Sequence, residues 1–535
     1  MTFEELIVRT PLAIDEERGA SAVEAVGLDG AVAELVSGAA GSSPYLGDLI
    51  EREADWLAVA AKLNPKASFE SVLAALDADE DDVAVSLRRA KRRVALLTAL
   101  ADLGGVWTLE EVTTALTRFA DVAVTAALRS AIRPELDRGK LPGQSHEDLD
   151  VCGGLAVLAM GKMGAFELNY SSDIDLICLY DETRFDPDDY ADARAGFVRA
   201  VRKMTKTLSE RTADGYVFRT DLRLRPDASV TPVAISMEAA ERYYESFGRT
   251  WERAAYIKAR SAAGDLKAGN RFLKSLQPFV WRRHLDFAAI QDAHDMRLRI
   301  REHKGLHGKI NAYGHDLKLG AGGIREIEFF TQTRQIIAGG RDPSLRVPTT
   351  KGGLDALVAA GWVEQADASL LKVHYTALRD AEHRVQMVAD QQTHKLPTSK
   401  SEFDRVAALS GMTSSEYLTD IENRLHQVQD VIDRFFQRER PGGVSPVAAL
   451  PEGAASITDR WAGYPALRSP RAVEIFERVK PHLMARLANA AQPEEALANF
   501  DAFLAGVPAG VELVSLVESR PKLLDLVVVI TGVST

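Results

Sequence analysis

Two aspartates stand one residue apart in the apolar run DIDLICLY, which begins at Asp173. Such a run predicts a buried β-strand, and residues two apart in a strand share a face. Asp173 and Asp175 would therefore point the same way, while Ile174 and Leu176 point into the core. Two carboxylates held this close repel each other unless a cation lies between them. Because Mg²⁺ prefers carboxylate oxygens, the pair suggests a divalent-cation site, although the same pattern alone is more often an ordinary strand edge or turn.

A third acidic residue stands in the alternating segment YVFRTDLRLRP. Alternation places Arg219, Asp221, Arg223 and Arg225 on one face of a strand and mostly apolar residues on the other. One acid among three arginines suits a third metal ligand flanked by guanidinium groups, which bind phosphate oxygens in bidentate fashion. Taken alone, the stripe is more typical of a solvated sheet face.

The segment GKMG, with Gly161, Lys162 and Gly164, precedes the two aspartates. A glycine turn lets backbone N–H groups approach a phosphate, and Lys162 adds a positive charge. The order of the parts says more than each part alone. A glycine turn, a short helix, a DxD strand and a lone aspartate on a later strand resemble the nucleotidyltransferase superfamily, whose fold is shared with DNA polymerase beta. The resemblance implies that three carboxylates hold two metal ions, which activate an attacking oxygen and stabilise the leaving one.

The elements that must position these residues divide the chain into four predicted regions. Residues 1–150 show helical spacing of Leu, Val and Ala, and residues 151–265 contain β-like runs separated by glycine turns. Residues 266–440 are again helical, and residues 441–535 begin with the Pro/Gly-rich linker RPGGVSPVAALPEG and continue partly helical. The expected class is α+β, predominantly α, with a mixed-sheet nucleotidyltransferase domain inserted between helical domains.

Composition narrows the function classes. The chain has 535 residues, a formal charge of -12 and two cysteines, so we expect several domains, no disulfide framework and a reducing cytoplasm. No apolar run is long enough for a bilayer, and the start MTFEELIVRTPL lacks the features of a signal peptide. The acidic balance disfavours a nucleic-acid coat. We therefore expect no membrane and no nucleic-acid partner, and the ending LVVVITGVST suggests a piece of a longer protein.

Five ordered blocks make the resemblance more specific. GKMGAFELNYSSDIDLI resembles the GKLGGxELNxSSDIDLI signature of the bifunctional glutamine synthetase adenylyltransferase/adenylyl-removing family. YVFRTDLRLRP, GRTWERAAYIKAR, KLGAGGIREIEF and LRDAEHRVQMVADQQTHKLP are similar to that family's further blocks, in the same order. The sequence departs from the pattern at Ala165, where the family has glycine, and in the loop after Asp221, where two expected glycines are missing.

The form of the blocks resembles the N-terminal, adenylyl-removing half of that family more than the adenylylating half. The resemblance implies metal-dependent phosphorolysis of AMP-tyrosine on adenylylated glutamine synthetase, with phosphate as co-substrate and ADP as product. Asp173, Asp175 and Asp221 would be the catalytic metal ligands, holding Mg²⁺ or Mn²⁺. The PII signal protein is the expected regulatory partner. Two alternatives stay open: adenylyl transfer from ATP to glutamine synthetase, and a regulatory module whose helical parts sense PII or glutamine and whose cleft is vestigial.

Contacts to phosphate or nucleotide are expected from Gly161, Lys162, Gly164, Ser172, Arg219, Arg223, Arg225, Lys258, Arg260, Arg325 and Glu326. For four of these the structural interpretation carries equal weight. Lys258 and Arg260 could belong to a solvated charged face beside a core tryptophan. Arg325 and Glu326 could simply occupy the first turns of a helix after Gly322 and Gly323, where the dipole favours acids.

Overall fold

Helices dominate the described part of the chain, which also contains one small mixed sheet. The computed structural model describes residues 1–76, 82–282, 310–438, 457–488 and 493–507. The described residues form two compact units, one up to Asp430 and one from Val431 onward. The predicted α+β class with a mixed sheet and predominant helix is confirmed. The four domain boundaries stay predictions, and the predicted linker after Arg440 lies outside the described residues.

Helices occupy the chain ahead of the sheet. Their hydrophobic residues share a core with the sheet, so that the helical region and the sheet are one packed body. The Leu109–Asp137 helix begins with a capping box, in which Glu111 N–H donates to the Thr108 hydroxyl (3.3 Å) and Thr108 N–H donates to the Glu111 carboxylate (3.0 Å). The α-helices described here are Glu16–Val26, Gly30–Ser42, Pro44–Arg52, Ala54–Ala60, Pro65–Ala74, Val83–Leu103 and Leu109–Asp137.

The sheet has five strands: β1 (Leu155–Ala159), β2 (Asp173–Tyr180), β3 (Arg219–Asp221), β4 (Ala234–Ser236) and β5 (Arg260–Gly264). The order β3-β2-β1-β5 places β2 and β1 inside, and β4 pairs with the far end of β2. β1 is antiparallel to both β2 and β5, whereas β3 and β4 run parallel to β2. β1 and β2 are inside because their residues are apolar almost throughout, as strands buried on both faces require.

Further helices lie within and after the sheet region. Those between the strands or directly after them are Gly161–Gly164, Tyr190–Ser209, Met237–Ser246, Thr250–Tyr256, Leu266–Ser275 and Gln277–Val280. The later ones are Ile324–Ala338, Thr350–Ala359, Gln365–Met387, Lys400–Leu409, Ser414–Arg438, Pro470–Ala488 and Pro493–Gly506. Throughout the described ranges, every helix is too short or too polar to serve as a bilayer span.

A buried ion-pair cluster joins the Val83–Leu103 helix to the Gln365–Met387 helix. The Asp102 carboxylate accepts a hydrogen bond from Arg384 Nη2 (2.8 Å) and contacts His383 Nδ1 (2.9 Å), and all three side chains are buried. Burial alone would raise the pKa of Asp102, but the Arg384 guanidinium and the His383 ring together lower it far below its usual value. Asp102 therefore stabilises the fold as a carboxylate.

Replacing Asp102 by asparagine should lower the free energy of unfolding by about 3 kcal/mol or more, because the Arg384 guanidinium would stay buried without its counter-charge. Urea denaturation at neutral pH measures the loss. Since the pKa of Asp102 is depressed in the folded state, the wild-type advantage should be complete above the ordinary aspartate pKa and shrink as the pH falls below it. Asp48→Asn is the control, since its pair with Arg18 is exposed and should cost under about 1 kcal/mol. Equal losses for both variants would contradict this account.

Candidate active site

The three aspartates singled out by the sequence converge at one end of the β2–β3 pair. Asp173 and Asp175 are half-buried, while Ile174 and Leu176 between and after them are fully buried. β3 runs parallel to β2, in a register that places Asp221 beside Asp175. One carboxylate oxygen from each of the three aspartates lies within 4.8 Å of the others. Two neighbouring strands thus bring three acids to one point.

The three carboxylates are electrostatically unequal. Burial, followed by the negative charges of Asp173 and Asp221, raises the pKa of Asp175 to about 6. The pKa of Asp221 is lowered instead, first by its hydrogen bonds from Arg223. Arg223 Nη2 and Nε donate to Asp221 Oδ2 at 2.5 and 2.9 Å, although the arginine itself is largely exposed. Asp175 is therefore harder to ionise than Asp221.

This donor set fits a hard divalent cation. Mg²⁺ and Mn²⁺ are bound by carboxylate oxygens, and three of them within this spacing can converge on one ion. A cation would also offset the repulsion from Asp173 and Asp221 that, after burial, raises the pKa of Asp175. Asp173, Asp175 and Asp221 are thus able to hold a divalent cation.

The glycine segment lies directly against this group. Gly161 has a φ of +53°, and a Cβ added to it would lie 2.9 Å from Asp175 Oδ2. At Gly164 an added Cβ would lie 1.9 Å from the carbonyl oxygen of Lys258, which leaves no room for a side chain. Met160 N–H donates to the Asp175 carbonyl oxygen (2.9 Å). The structure therefore shows both glycines as close-packing positions, and their contact with phosphate stays a prediction.

Two lysines proposed for phosphate are buried in internal ion pairs. Lys162 Nζ lies 3.2 Å from Glu382, and burial is the main reason that the pKa of Lys162 falls to about 7. Lys258 Nζ donates to Glu167 (2.6 Å) and lies 3.5 Å from Glu328. Burial would lower the pKa of Lys258, but these two carboxylates raise it above its usual value.

The arginines of the YVFRTDLRLRP segment lie differently from the predicted stripe. β3 ends at Asp221 rather than continuing towards Pro226, so the alternating face does not extend beyond that residue. Arg219 donates to the Tyr216 hydroxyl (2.6 Å) and to the Ser171 hydroxyl (2.7 Å). Arg225 donates to carbonyl oxygens of its own loop, including those of Leu222 (2.7 Å) and Ala228 (2.9 Å). Among the described residues, Arg223 is the one of these three arginines whose side chain is hydrogen-bonded to a metal-ligand candidate.

The remaining predicted contacts also have internal partners. Arg260 donates to Asp121 (2.7 Å) and lies over the Phe166 ring. The Ser172 hydroxyl lies 3.5 Å from Asp173 Oδ1, beside the carboxylate group.

The segment that follows Gly322 and Gly323 begins a helix as predicted, and its first residues are held within the protein. Glu326 accepts a hydrogen bond from Gly322 N–H (3.0 Å), as a residue at a helix start would. Arg325, which is half-exposed, lies 3.4 Å from Glu328.

One cation near the carboxylates was missed in the sequence. Lys318 is half-buried, and its charge acts on Asp175, Glu328 and Lys162. The available signal was its position as the first residue of the KLGAGGIREIEF block, which precedes the helix by several residues. Glu382, the buried partner of Lys162, was likewise missed, although it stands inside the LRDAEHRVQMVADQQTHKLP block.

Fold and site together define a nucleotidyltransferase-like domain: a small mixed sheet with two carboxylates on one strand and a third on its parallel neighbour. Residues 31–275 match the family described as Glutamate-ammonia ligase adenylyltransferase, and residues 294–438 match the family described as GlnD PII-uridylyltransferase. The region 31–275 is thus similar to the glutamate-ammonia ligase adenylyltransferase family.

Curated relatives agree with this family and cover nearly the whole chain. A bifunctional glutamine synthetase adenylyltransferase/adenylyl-removing enzyme of Bradyrhizobium diazoefficiens is 42% identical over 531 residues, which is 93% of this chain and 53% of the relative. The enzyme of the same name from Rhizobium meliloti is 44% identical over 474 residues, covering 84% and 48% respectively. The chain spans about half the length of the curated relatives it matches, so it corresponds to one half of such a protein.

Replacing Asp175 by asparagine should abolish stabilisation by metal without unfolding the protein. In chelator the variant should melt at or above the wild-type temperature, because one of three crowded negative charges is gone. Wild type should gain stability on adding Mn²⁺, by about 2.7 kcal/mol at one hundred times the Kd, and the variant should gain little. Asp227→Asn is the matched control, since Asp227 is an exposed carboxylate on the loop after Asp221. A variant that still responds to Mn²⁺ as wild type does would contradict the ligand assignment.

Replacing Gly161 by alanine should weaken Mn²⁺ binding, because the new methyl group would push against the Asp175 carboxylate. Gly215→Ala separates this effect from backbone strain: Gly215 also has a positive φ, but an added Cβ there meets nothing within 4 Å. Both variants should lose about 1 kcal/mol of stability, and only Gly161→Ala should bind Mn²⁺ more weakly in an electron paramagnetic resonance titration. Equal Mn²⁺ affinity in the two variants would refute the steric argument.

Proposed function

We propose that this chain removes adenylyl groups from glutamine synthetase, using phosphate to cleave AMP from the modified tyrosine and releasing ADP. The observation that carries the proposal is the convergence of Asp173, Asp175 and Asp221, within a domain of the adenylyltransferase family. The direction of the reaction is supported by the amino-acid sequences of three blocks, SSDIDLI, FRTDLRLRP and KLGAGGIREIEF, which resemble the adenylyl-removing half of the family. Glutamine synthetase as substrate is supported by the names of the relatives.

The reaction balances without an added acid or base. One oxygen of hydrogen phosphate forms a bond to the phosphorus of the AMP group, and the bond between that phosphorus and the tyrosine oxygen breaks. The electron pair stays on the tyrosine oxygen, which receives the proton that hydrogen phosphate carried. Phosphate is already an anion near neutral pH, so the protein's task is positioning and charge stabilisation.

The chain's own residues account for the positioning. Asp173, Asp175 and Asp221 would hold Mg²⁺ or Mn²⁺, which when bound would neutralise charge on the phosphoryl oxygens. Gly161 leaves open the space next to Asp175, since any side chain there would strike the carboxylate. Arg223 is largely exposed beside Asp221 and is able to contact an anion in front of the sheet while keeping its hydrogen bonds.

The regulatory partner is part of the proposal. We expect the PII signal protein to act on this chain, and the match of residues 294–438 to a family described as a PII-uridylyltransferase supports a relationship to PII signalling. Three carboxylates that still converge argue against a vestigial cleft, because an unused site has no reason to keep three repelling charges together.

The wild-type chain should form ADP when incubated with adenylylated glutamine synthetase, phosphate and Mg²⁺, with and without PII. The double variant Asp173→Asn/Asp175→Asn should fall to background while keeping its fold, and Asp227→Asn should remain active. A parallel incubation with unmodified glutamine synthetase and labelled ATP tests the opposite direction. Incorporation of label without ADP formation in the first assay would replace adenylyl removal by adenylyl transfer, and activity retained in the double variant would remove the metal-site assignment.

A further inference from the structure

Lys318 differs from the other cations around the carboxylate group. Of the cations described above, Lys162, Lys258, Arg260, Arg223 and Arg325 are paired with carboxylates, and Arg219 and Arg225 donate to hydroxyl or carbonyl oxygens. The Lys318 ammonium group makes no hydrogen bond or ion pair with any residue that the structure describes. It is half-buried all the same, and its charge acts on Asp175, Glu328 and Lys162.

The backbone of Lys318 is fixed from both sides. Asp316 Oδ1 accepts hydrogen bonds from the N–H groups of Lys318 (3.0 Å) and Leu319 (2.8 Å). The Lys318 carbonyl oxygen accepts from Arg325 N–H (2.9 Å), which ties the turn to the start of the Ile324–Ala338 helix. These hydrogen bonds hold the backbone from which the lysine side chain extends, so the unpaired ammonium is not the consequence of a loose loop.

A series of contacts connects this turn to Gly161, which lies against Asp175. Leu317 N–H donates to the His394 carbonyl oxygen (2.8 Å), and His394 Nδ1 lies 2.5 Å from Glu382. Glu382 in turn pairs with Lys162, the residue after Gly161, whose position faces Asp175. Lys318 therefore lies beside the site, and no residue that the structure describes takes up the hydrogen-bonding capacity of its ammonium group.

We infer that Lys318 binds the phosphate group that attacks, which becomes the β-phosphate of the nucleoside diphosphate product. The inference rests on the proposed function. A phosphate brought to three carboxylates needs a positive charge that is not already neutralised, and a lysine ammonium group is a strong donor to phosphate oxygens. Lys162 and Lys258 cannot serve without breaking buried ion pairs, which is costly.

The test compares ADP with AMP, because the two nucleotides differ by the phosphate in question. Isothermal titration calorimetry with Mg²⁺ measures both affinities for the whole chain. Wild type should bind ADP more tightly than AMP. Lys318→Ala should lose about tenfold or more in ADP affinity, the loss expected for one hydrogen bond to a charged group, and little in AMP affinity. Lys318→Arg, which keeps the charge, should retain part of the preference, and Lys400→Ala, an exposed lysine at a helix start, should bind as wild type does.

Several results would overturn the inference. An equal loss of ADP and AMP affinity in Lys318→Ala would mean that Lys318 only offsets the negative charge of the carboxylates. Unchanged ADP affinity in that variant would exclude the contact between Lys318 and phosphate, and so would a wild type that does not prefer ADP to AMP. Should Lys318→Ala fail to unfold cooperatively, Lys318→Gln takes its place in the same comparison. These measurements need no turnover.

The phosphate dependence of ADP formation from adenylylated glutamine synthetase then separates the two proposals. The inference expects the KM for inorganic phosphate to rise about tenfold or more in Lys318→Ala, with the KM for glutamine synthetase unchanged. If an active Lys318→Ala variant has the phosphate dependence of wild type, Lys318 does not bind the attacking phosphate, and the proposed function still holds. If the wild type forms no ADP but still binds ADP through Lys318, the proposed adenylyl-removing function is wrong. The contact between Lys318 and phosphate would then still hold, and ATP would be the source of that phosphate.

Discussion

Mutual repulsion among three carboxylates is the constraint on which the rest of this domain depends. Oxygens of Asp173, Asp175 and Asp221 lie within 4.8 Å of one another in the protein alone. Their mutual repulsion disfavours such an arrangement, so it must be held by the elements behind it. Ile174 and Leu176 are fully buried and fix the face on which the two β2 aspartates stand, and the parallel register with β3 fixes the third.

The basic residues near this group mostly serve the fold that holds it. Lys162 and Lys258 stand close to the sheet, yet each extends into a buried pair with an acid from elsewhere in the chain: Glu382 for the first, Glu167 and Glu328 for the second. A buried pair is not a large net source of stability, but the loss of one partner is severe because the other stays charged and desolvated. The two lysines therefore fasten the later helices to the glycine segment and to the start of β5.

The class of fold, the β2 strand and the convergence of the three acids could be predicted from the sequence. They follow from apolar periodicity and from the alternation of side chains between the two faces of a strand. The sequence was insufficient for the arginines. Strict alternation predicted a strand up to Pro226, but β3 ends at Asp221. Arg223 turns back to Asp221, and Arg225 donates to carbonyl oxygens of its own loop. Such side-chain to backbone hydrogen bonds compete with the hydrogen bonds of a strand ladder, and the two-residue alternation of the sequence does not reveal them. Lys318 was missed for a related reason. It lies near the carboxylates only because the fold brings its turn close to them from far along the chain.

The spacing of the carboxylates also depends on a residue that no motif marks as catalytic. Asp390, which follows the Gln365–Met387 helix, accepts hydrogen bonds from the Ser171 hydroxyl (2.6 Å) and the Tyr216 hydroxyl (2.8 Å). Arg219 completes the group by donating to both hydroxyls, at 2.7 and 2.6 Å. Ser171 lies two residues before Asp173 and Arg219 two residues before Asp221, so this network holds the starts of β2 and β3 together immediately ahead of the acids. Because one of its members comes from the later helical region, the position of that region and the separation of the carboxylates are set by the same hydrogen bonds. The helices after the sheet are therefore part of the site's architecture, and a sheet without them would lack the contacts that keep three negative charges in place.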